Sequence, residues 1–204
     1  APSFRQDPFR RQKIMNPRTE AAASPMIIQK AYGCDERGIP TFMEKADSAT
    51  RATIATILRD HQAAGIRRIV ALRGDPPSGM AESGEFRYAN ALVVFIRQET
   101  GDHFQIHVAA YPEVHPQSAS GNEDFKNFKR KVEAGADAAI TQYFYNAEAY
   151  FYFLDACEKN GIDIPIVPGI MPITQYSQLF RFSDMCGADI PRWLRKRLEG
   201  FGDD

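Results

Sequence analysis

The sequence predicts an α/β fold, a (β/α)₈ barrel of the TIM type that is incomplete in this chain. From about residue 48 onward, helical and extended patterns alternate through four βα units. The four predicted strands are almost continuously apolar, which is typical of parallel strands that helices cover. An open doubly wound sheet is the alternative, but no GxGxxG motif follows any strand. We therefore favour the barrel.

Each element is indicated by the spacing of its apolar residues or by a residue that ends it. Apolar residues three or four positions apart predict the helices, and runs rich in Ile, Val and Ala predict the strands. Gly65 ends the first helix, and the Asn146 side chain caps a later one. The predicted helices are 50–64, 85–99, 123–134, one that follows Asn146, one from about 175, and 191–199. The predicted strands are 67–73, 104–111, 138–144 and 164–172.

Composition and charge are those of an ordinary globular protein. Of the 204 residues, 44% are hydrophobic and 25% are charged, and the net charge is −1. This balance offers no basic surface for nucleic acid or for an anionic membrane. Three cysteines without CxxC spacing argue against a disulfide framework and against structural zinc. We expect a cytoplasmic protein with ordinary thiols, no metal, no nucleic-acid partner and no membrane partner.

Residues 1–47 are predicted to form an atypical or divergent amino-terminal segment, and residues 48–204 the partial barrel. The first 40 residues are rich in Pro, Arg and Ser, and only residues 25–28 resemble a strand. No apolar stretch of the secretory type is present, although a transit peptide stays open as an alternative. The chain does not start with methionine, so we expect its start to be processed or incomplete.

Polar residues follow the first predicted strand at the point where it ends. Arg73, Gly74 and Asp75 come directly after the strand, and Pro76 and Pro77 follow at once. Ligands bind at the carboxyl ends of parallel strands in such folds. A carboxylate held there by a stiff turn is a candidate for chemistry on a cationic or hydride-accepting ligand. The plain alternative for Asp75 is a turn residue.

The other strands also end in polar residues that a core does not need. Tyr111 and His115 follow the second strand, Gln142 lies in the third, and Gly169 marks the end of the fourth. In a barrel these ends converge on one face and form one pocket. An unpaired amide in an apolar strand costs about 1–3 kcal/mol, so Gln142 is expected to face the pocket or to join a polar network. For His115, a surface loop position is the alternative.

The helix at 123–134 carries a polar stripe beside its buried centre. Asp124, Asn127 and Lys131 form the stripe, with Arg130 further round the helix. Such a stripe is placed to reach the mouth of a barrel and to hold a sugar and a phosphate. The alternative is a simple amphipathic helix with a solvated face.

Six motifs, in this order along residues 48–204, resemble bacterial methylenetetrahydrofolate reductase. They are ALRGDPP at 71–77, AAYPEVHP at 109–116, NFKRKVEAGAD at 127–137, ITQYFYN at 140–146, PGIMPIT at 168–174 and IPRWLRK at 190–196. The resemblance implies a (β/α)₈ barrel that binds FAD without a Rossmann motif. It implies reduction of 5,10-methylenetetrahydrofolate to 5-methyltetrahydrofolate by NADH or NADPH, in a ping-pong hydride relay through the flavin. A homo-oligomer that supplies methionine biosynthesis is the expected form.

The resemblance also implies roles for individual residues. The cofactor-binding set is Arg73, Gly74, Asp75, Ala89, Tyr111, His115, Asp124, Asn127, Arg130 and Lys131. The substrate-binding set is Gln142, Gln178 and Phe182, with Phe182 as an aromatic wall. Asp75 is also the implied catalytic residue, because its carboxylate would lie beside the cationic iminium that forms when the folate ring opens.

The chain departs from the family pattern at both ends. The family's first strand carries FEFFPP-like residues with the glutamate implied to open the folate ring, and we find no counterpart here. A barrel of this type takes about 250 residues, more than the part of this chain that carries the motifs. Two interpretations stay open: an active folate reductase, and a truncated non-catalytic remnant that binds flavin or a partner chain. A barrel lyase or aldolase is disfavoured, because no lysine lies in the predicted strands.

Overall fold

The computed structural model describes residues 50–72, 85–173 and 175–201. Its helices are α1 (Arg51–Ala63), α2 (Ala89–Thr100), α3 (Gly121–Glu133), α4 (Ala147–Lys159), α5 (Tyr176–Cys186) and α6 (Arg192–Glu199). Its strands are β1 (Arg68–Ala71), β2 (Gln105–Ala110), β3 (Ala138–Tyr143) and β4 (Ile166–Gly169). Within these ranges, helices and strands alternate as the apolar spacing predicts.

The four strands form one sheet in the order β1-β2-β3-β4. β1 pairs in parallel with β2, with Arg68 opposite Gln105, and β3 pairs in parallel with β4, with Ala139 opposite Ile166. The predicted α/β class with a parallel sheet is confirmed. In the described part of the chain β1 and β4 are the edge strands, so this sheet is an open segment that is compatible with a barrel.

Helix ends follow the signals that the sequence predicts. The Asn146 side-chain oxygen accepts a hydrogen bond from the Glu148 backbone N–H at 3.1 Å and caps α4. Gly65 follows α1 with φ of +75°, which glycine adopts without strain. None of the described helices has both the length and the apolar character that crossing a membrane requires.

Two predicted boundaries are wrong, each for a local reason. α2 begins at Ala89 instead of residue 85, because the backbone of Tyr88 is extended. Phe86 nevertheless packs as predicted, buried beside Phe95 with ring centroids 5.1 Å apart. β4 ends at Gly169, whereas the sequence predicts a strand over 164–172, and Ile170 beyond it is 84% exposed. Prolines lack the N–H that a sheet ladder needs, and this segment carries several of them.

The chain divides into two compact units. The first contains the described residues up to Val108 together with Lys131–Ala138, and the second contains Ala109–Arg130 and the described residues from Ala139 onward. Buried side chains of the first unit include Ile54, Leu58, Ile69, Leu92, Val93, Ile96, Phe104, Ile106 and Val108. Those of the second include Phe128, Tyr143, Tyr150, Phe153, Cys157, Ile166, Leu179, Ile190 and Leu194.

Arg97 organises the polar contacts of the first unit. Its guanidinium donates two hydrogen bonds to the Gly135 carbonyl, at 3.0 and 2.8 Å, and one to the Phe104 carbonyl at 2.9 Å. It also pairs with the Asp137 carboxylate at 2.5 Å, and the same carboxylate oxygen accepts from the Ile106 N–H at 2.6 Å. The planar fork of arginine is needed to satisfy several acceptors at fixed angles.

Replacing Arg97 with lysine is expected to lower the free energy of unfolding by about 2 kcal/mol, because several of these acceptors lose their donor. Urea unfolding measures the change. Arg59→Lys on the exposed face of α1 is the matched control, with an expected change below about 0.5 kcal/mol. Equal midpoints for the two variants would show that the guanidinium fork contributes nothing to stability.

Candidate active site at the ends of β2 and β3

The predicted site residues fall on different parts of the structure. Arg73, Gly74 and Asp75 lie outside the described residues. Ala89 is the first residue of α2 and is half-buried in the first unit. Eight predicted site residues belong to the second unit. They lie near the ends of β2 and β3, on α3 and on α5: Tyr111, His115, Asp124, Asn127, Arg130, Gln142, Gln178 and Phe182.

Tyr111 and His115 form an aromatic pair in the loop after β2. Their rings meet edge to face, with centroids 4.4 Å apart and planes at 75°. The Nδ1 atom of His115 accepts a hydrogen bond from the Gln117 N–H at 3.0 Å. A nitrogen that accepts needs its lone pair, so the ring proton of this neutral imidazole lies on Nε2. The pair places two aromatic rings at the carboxyl end of the strand.

Asp124, in the first turn of α3, holds this loop. One carboxylate oxygen accepts from the His115 backbone N–H at 3.1 Å, and the other accepts from the Ser118 hydroxyl at 3.0 Å. The Ser118 N–H in turn donates to the His115 carbonyl at 2.8 Å and closes a turn. The structure thus brings Asp124 and His115 together. The sequence places Asp124 only in the polar stripe of the helix and gives no sign of this loop contact.

Asn127 of the α3 stripe and the nearby Arg130 are accessible. Arg130 donates to the Asn127 side-chain oxygen at 2.7 Å and to Glu123 at 3.3 Å, and both Asn127 and Arg130 are exposed. Lys131 is half-buried. The contacts with Asn127 and Glu123 both use one guanidinium nitrogen of Arg130. The other N–H groups can donate to an anion, and a guanidinium forms paired hydrogen bonds with phosphate oxygens. The stripe can therefore bind a phosphate at the surface of the helix.

Gln142 lies on the more open face of β3. Along this strand Thr141 and Tyr143 are buried, whereas Ile140 and Gln142 are half-buried. The Gln142 side-chain oxygen accepts a hydrogen bond from the Tyr143 N–H at 3.0 Å. Its role towards a ligand stays a prediction.

Gln142 and Tyr111 line the same small recess in the second unit. Its lining residues are Tyr111, Pro112, Glu113, Val114, Gln142, Tyr143, Cys186 and Gly187. The recess has a cavity volume of about 10 Å³, far below the ~300 Å³ at the lower end of ligand pockets. Of the residues predicted at the strand ends, Tyr111, His115 and Gln142 are thus neighbours, since His115 contacts Tyr111. Asp75 lies outside the described residues.

Glu113 is the residue of this recess that the sequence analysis did not select. Its side chain accepts a hydrogen bond from the Asp189 N–H at 2.8 Å. Burial raises the pKa of the Glu113 carboxyl above its usual range; the Asp189 hydrogen bond lowers it, and the Asp189 charge raises it. The signal that the sequence offers is a single carboxylate directly after a strand, between Pro112 and Pro116.

Three groups of the second unit are poor proton-transfer groups: the phenols of Tyr143 and Tyr145 and the buried thiol of Cys157. The Tyr143 hydroxyl contacts the Ser183 hydroxyl at 3.3 Å, and burial is the main cause that raises the Tyr143 pKa. Burial raises the pKa of Tyr145 to about 12 and the pKa of the Cys157 thiol to about 12. All three groups stay protonated at neutral pH. Within the described residues, no cluster of three His, Cys, Asp or Glu side chains could hold a metal ion.

Gln178 and Phe182 lie one turn apart on α5 and share an exposed face. Phe182 is 48% exposed, and Met185 beyond it is 72% exposed. Neither Gln178 nor Phe182 lines the recess, so the structure does not bring them to Tyr111 and Gln142 directly. Their shared face leaves both side chains accessible to a ligand.

Comparison with known proteins gives a consistent result. The family model described as methylenetetrahydrofolate reductase matches residues 16–204. The 5,10-methylenetetrahydrofolate reductase of Escherichia coli K12 is 47% identical over 156 residues, which are 76% of this chain and 51% of that protein. The enzyme of the same name from Buchnera aphidicola of Acyrthosiphon pisum is 42% identical over 178 residues, 87% of this chain and 59% of that protein. The chain spans about half the length of the curated relatives it matches.

A solved structure gives a weaker likeness. An uncharacterised protein from Clostridium thermocellum that binds two copies of 5-methyl-5,6,7,8-tetrahydrofolic acid is 20% identical, with a TM-score of 0.48. The match covers 76% of this chain and 51% of that one. At this TM-score the likeness carries no argument about the site. The family model covers most of the chain and begins before the first motif of the sequence analysis. The chain belongs to the methylenetetrahydrofolate reductase family.

Proposed function

We propose that this protein reduces 5,10-methylenetetrahydrofolate to 5-methyltetrahydrofolate, with FAD as cofactor and NADH or NADPH as hydride donor. Membership of the family and the names of the curated relatives support the folate reaction. The observation that carries the proposal is the grouping of Tyr111, His115 and Gln142 at the ends of β2 and β3. Ligands of parallel α/β folds bind at this end of the strands.

The residues of the second unit fit a flavin nucleotide. The Tyr111 and His115 pair places two aromatic rings at this end of the strand, and Asp124 holds the His115 backbone. Asn127 and Arg130 would hold the ribityl chain and the phosphate, because both are exposed and Arg130 is oriented by Asn127. FAD, when bound, supplies a group that accepts hydride from the nicotinamide and passes it to the folate.

The remaining assignments extend the same proposal. Gln142 would orient the folate or the nicotinamide through its amide, and the exposed face of Gln178 and Phe182 would contact the folate. Arg73, Gly74, Asp75, Ala89 and Lys131 stay predictions from the resemblance. One pocket would serve both substrates in turn, as a ping-pong scheme requires. We place the protein in the cytoplasm as a homo-oligomer; the free thiols of Cys157 and Cys186 agree with a reducing compartment.

Flavin spectroscopy of the purified full chain tests the proposal. We expect yellow protein whose absorbance is bleached by NADH or NADPH and restored by 5,10-methylenetetrahydrofolate under anaerobic conditions. Colourless protein that takes up no added FAD would overturn the proposal. Yellow protein that is bleached but not restored by the folate would favour the alternative, a non-catalytic remnant that binds flavin.

A substitution on α3 separates phosphate binding from general charge effects. Arg130→Ala is expected to weaken FAD binding about tenfold, the effect of losing one charge-assisted hydrogen bond. Lys126→Ala is the matched control, because Lys126 is also exposed on α3 and also contacts Glu123, at 3.7 Å. Titration of the apoprotein with FAD measures both affinities. Equal losses in the two variants would mean that Arg130 has no specific place in the flavin site.

A further inference from the structure

We propose that Glu113 is a positioning residue that fastens the loop after β2 to the chain segment after α5. The loop carries Tyr111 and His115, and α5 carries Gln178 and Phe182. Glu113 would thereby set the flavin-side residues relative to the folate-side residues. In naming those two sides the inference rests on the proposed function; the contacts themselves do not depend on it.

The first contact is the hydrogen bond from the Asp189 N–H to Glu113, at 2.8 Å. It joins residues 76 positions apart in the sequence. The Glu113 side chain is half-buried, and a backbone N–H left without its acceptor there would have to find water or move. The carboxylate therefore supplies a specific acceptor for the backbone just beyond α5, at a position that water also reaches.

The second contact is a close approach of the two backbones at Gly187. This residue ends α5 with φ of +70°, a conformation that favours glycine. A Cβ atom there would lie 3.0 Å from the Val114 carbonyl oxygen and 3.0 Å from a ring carbon of Pro116. The absence of a side chain lets the end of α5 pack directly on the loop after β2.

The third contact lies beside the other two. The Tyr143 hydroxyl at the end of β3 contacts the Ser183 hydroxyl in the last turns of α5, at 3.3 Å. Tyr143, Glu113, Cys186 and Gly187 all line the same recess. The end of α5 is thus fastened to both strand ends, and Glu113 supplies the charged acceptor of this set.

The arrangement favours positioning over proton donation. Glu113 already accepts a hydrogen bond from the Asp189 N–H, and it lines the recess together with Tyr143. A glutamine at this position can accept the same bond through its amide oxygen but cannot act as an acid. Glu113→Gln therefore separates the two roles, whereas Glu113→Ala removes both.

Thiol labelling of Cys186 tests the contact without reference to the reaction. A Cys34→Ser background leaves two thiols to be labelled. Cys186 lines the recess together with Glu113, and Cys157, which is buried in α4, serves as the internal reference. We expect Glu113→Ala to raise the rate at which an aromatic disulfide reagent modifies Cys186 by about fivefold. Glu113→Gln should stay within about twofold of the parent, and Cys157 should stay slow in both.

Three results would overturn the inference: an unchanged Cys186 rate in Glu113→Ala, a Glu113→Gln rate equal to that of Glu113→Ala, or a rise at Cys157 in step with Cys186. The last result would mean that the whole unit loosens instead of one contact.

A second measurement asks whether the contact affects the reaction. Glu113→Ala is expected to raise the KM for the folate at least about fivefold, because small misplacements of binding groups are costly. The FAD affinity should change less than about twofold, since Asp124 still holds His115. Glu113→Gln should restore the KM. Failure of the protein to bind flavin or folate at all would refute the proposed function and leave the labelling result standing.

Discussion

Replacing Asp75 with asparagine is expected to slow reduction of the folate at least about tenfold more than reduction of the flavin by NADH. The folate must open to a cationic iminium before it accepts hydride. A carboxylate at ~4 Å from such a cation contributes about 4 kcal/mol at an effective dielectric constant of ~20. That energy corresponds to roughly a thousandfold in rate if it acts mainly in the transition state. Asparagine keeps the shape of Asp75 and removes the charge.

Rapid-mixing kinetics measure the effect of this substitution on flavin reduction by NADH and on folate reduction by the reduced flavin separately. The dihydronicotinamide is neutral and gains positive charge only as its hydride leaves, and that charge is spread over the pyridinium ring. The folate must instead form a full iminium cation before it reacts, so flavin bleaching should be slowed much less than folate reduction. Asp102→Asn, in the exposed turn after α2, is the matched control and should leave both half-reactions as they are. Equal losses in the two half-reactions of the Asp75 variant would refute the iminium role.

The sequence is sufficient for features that depend on neighbouring residues. The cap at Asn146 and the stop at Gly65 involve residues a few positions apart, and both are found where predicted. The apolar spacing also identifies buried residues in α1 and α3, such as Leu58 and Phe128. It is a poorer guide in α5 and α6, where Met185 and Trp193 are exposed. The features found as predicted need no knowledge of the rest of the fold, because the helical repeat alone decides which side chains share a face.

The contacts that shape the candidate site could not be predicted in this way. Asp124 holds the His115 loop, and Glu113 meets the backbone of Asp189 far along the chain. Carboxylates in loops and first turns have many possible partners, and no periodic pattern selects among them. The length of β4 could not be predicted from the apolar pattern either, because the strand extends only as far as it pairs with β3. Tertiary packing therefore decided what the local pattern left open.

Gly169 shows how this pairing constrains the site, and its substitution is expected to have the largest effect on stability. The glycine pairs with Tyr143 across the sheet, and its N–H donates to the Thr141 hydroxyl at 2.9 Å. A Cβ atom on Gly169 would overlap the backbone oxygen of Thr141 and lie 3.2 Å from the carbonyl carbon of Gln142. Backbone atoms inside a sheet cannot rotate away as the end of a flexible side chain can.

Gly169→Ala is therefore expected to lower the free energy of unfolding by about 3 kcal/mol or more, the upper range for forced overpacking. Denaturant unfolding measures this change. Gly121→Ala is the matched control, because a Cβ there meets only Val114 at an ordinary 3.5 Å, and the cost should stay below about 0.5 kcal/mol. Similar midpoints for the two variants would contradict the close approach of β4 to β3. The strands could also move apart without unfolding. The backbone of Gln142 in β3 would then be displaced, and the variant should lose folate affinity more than FAD affinity.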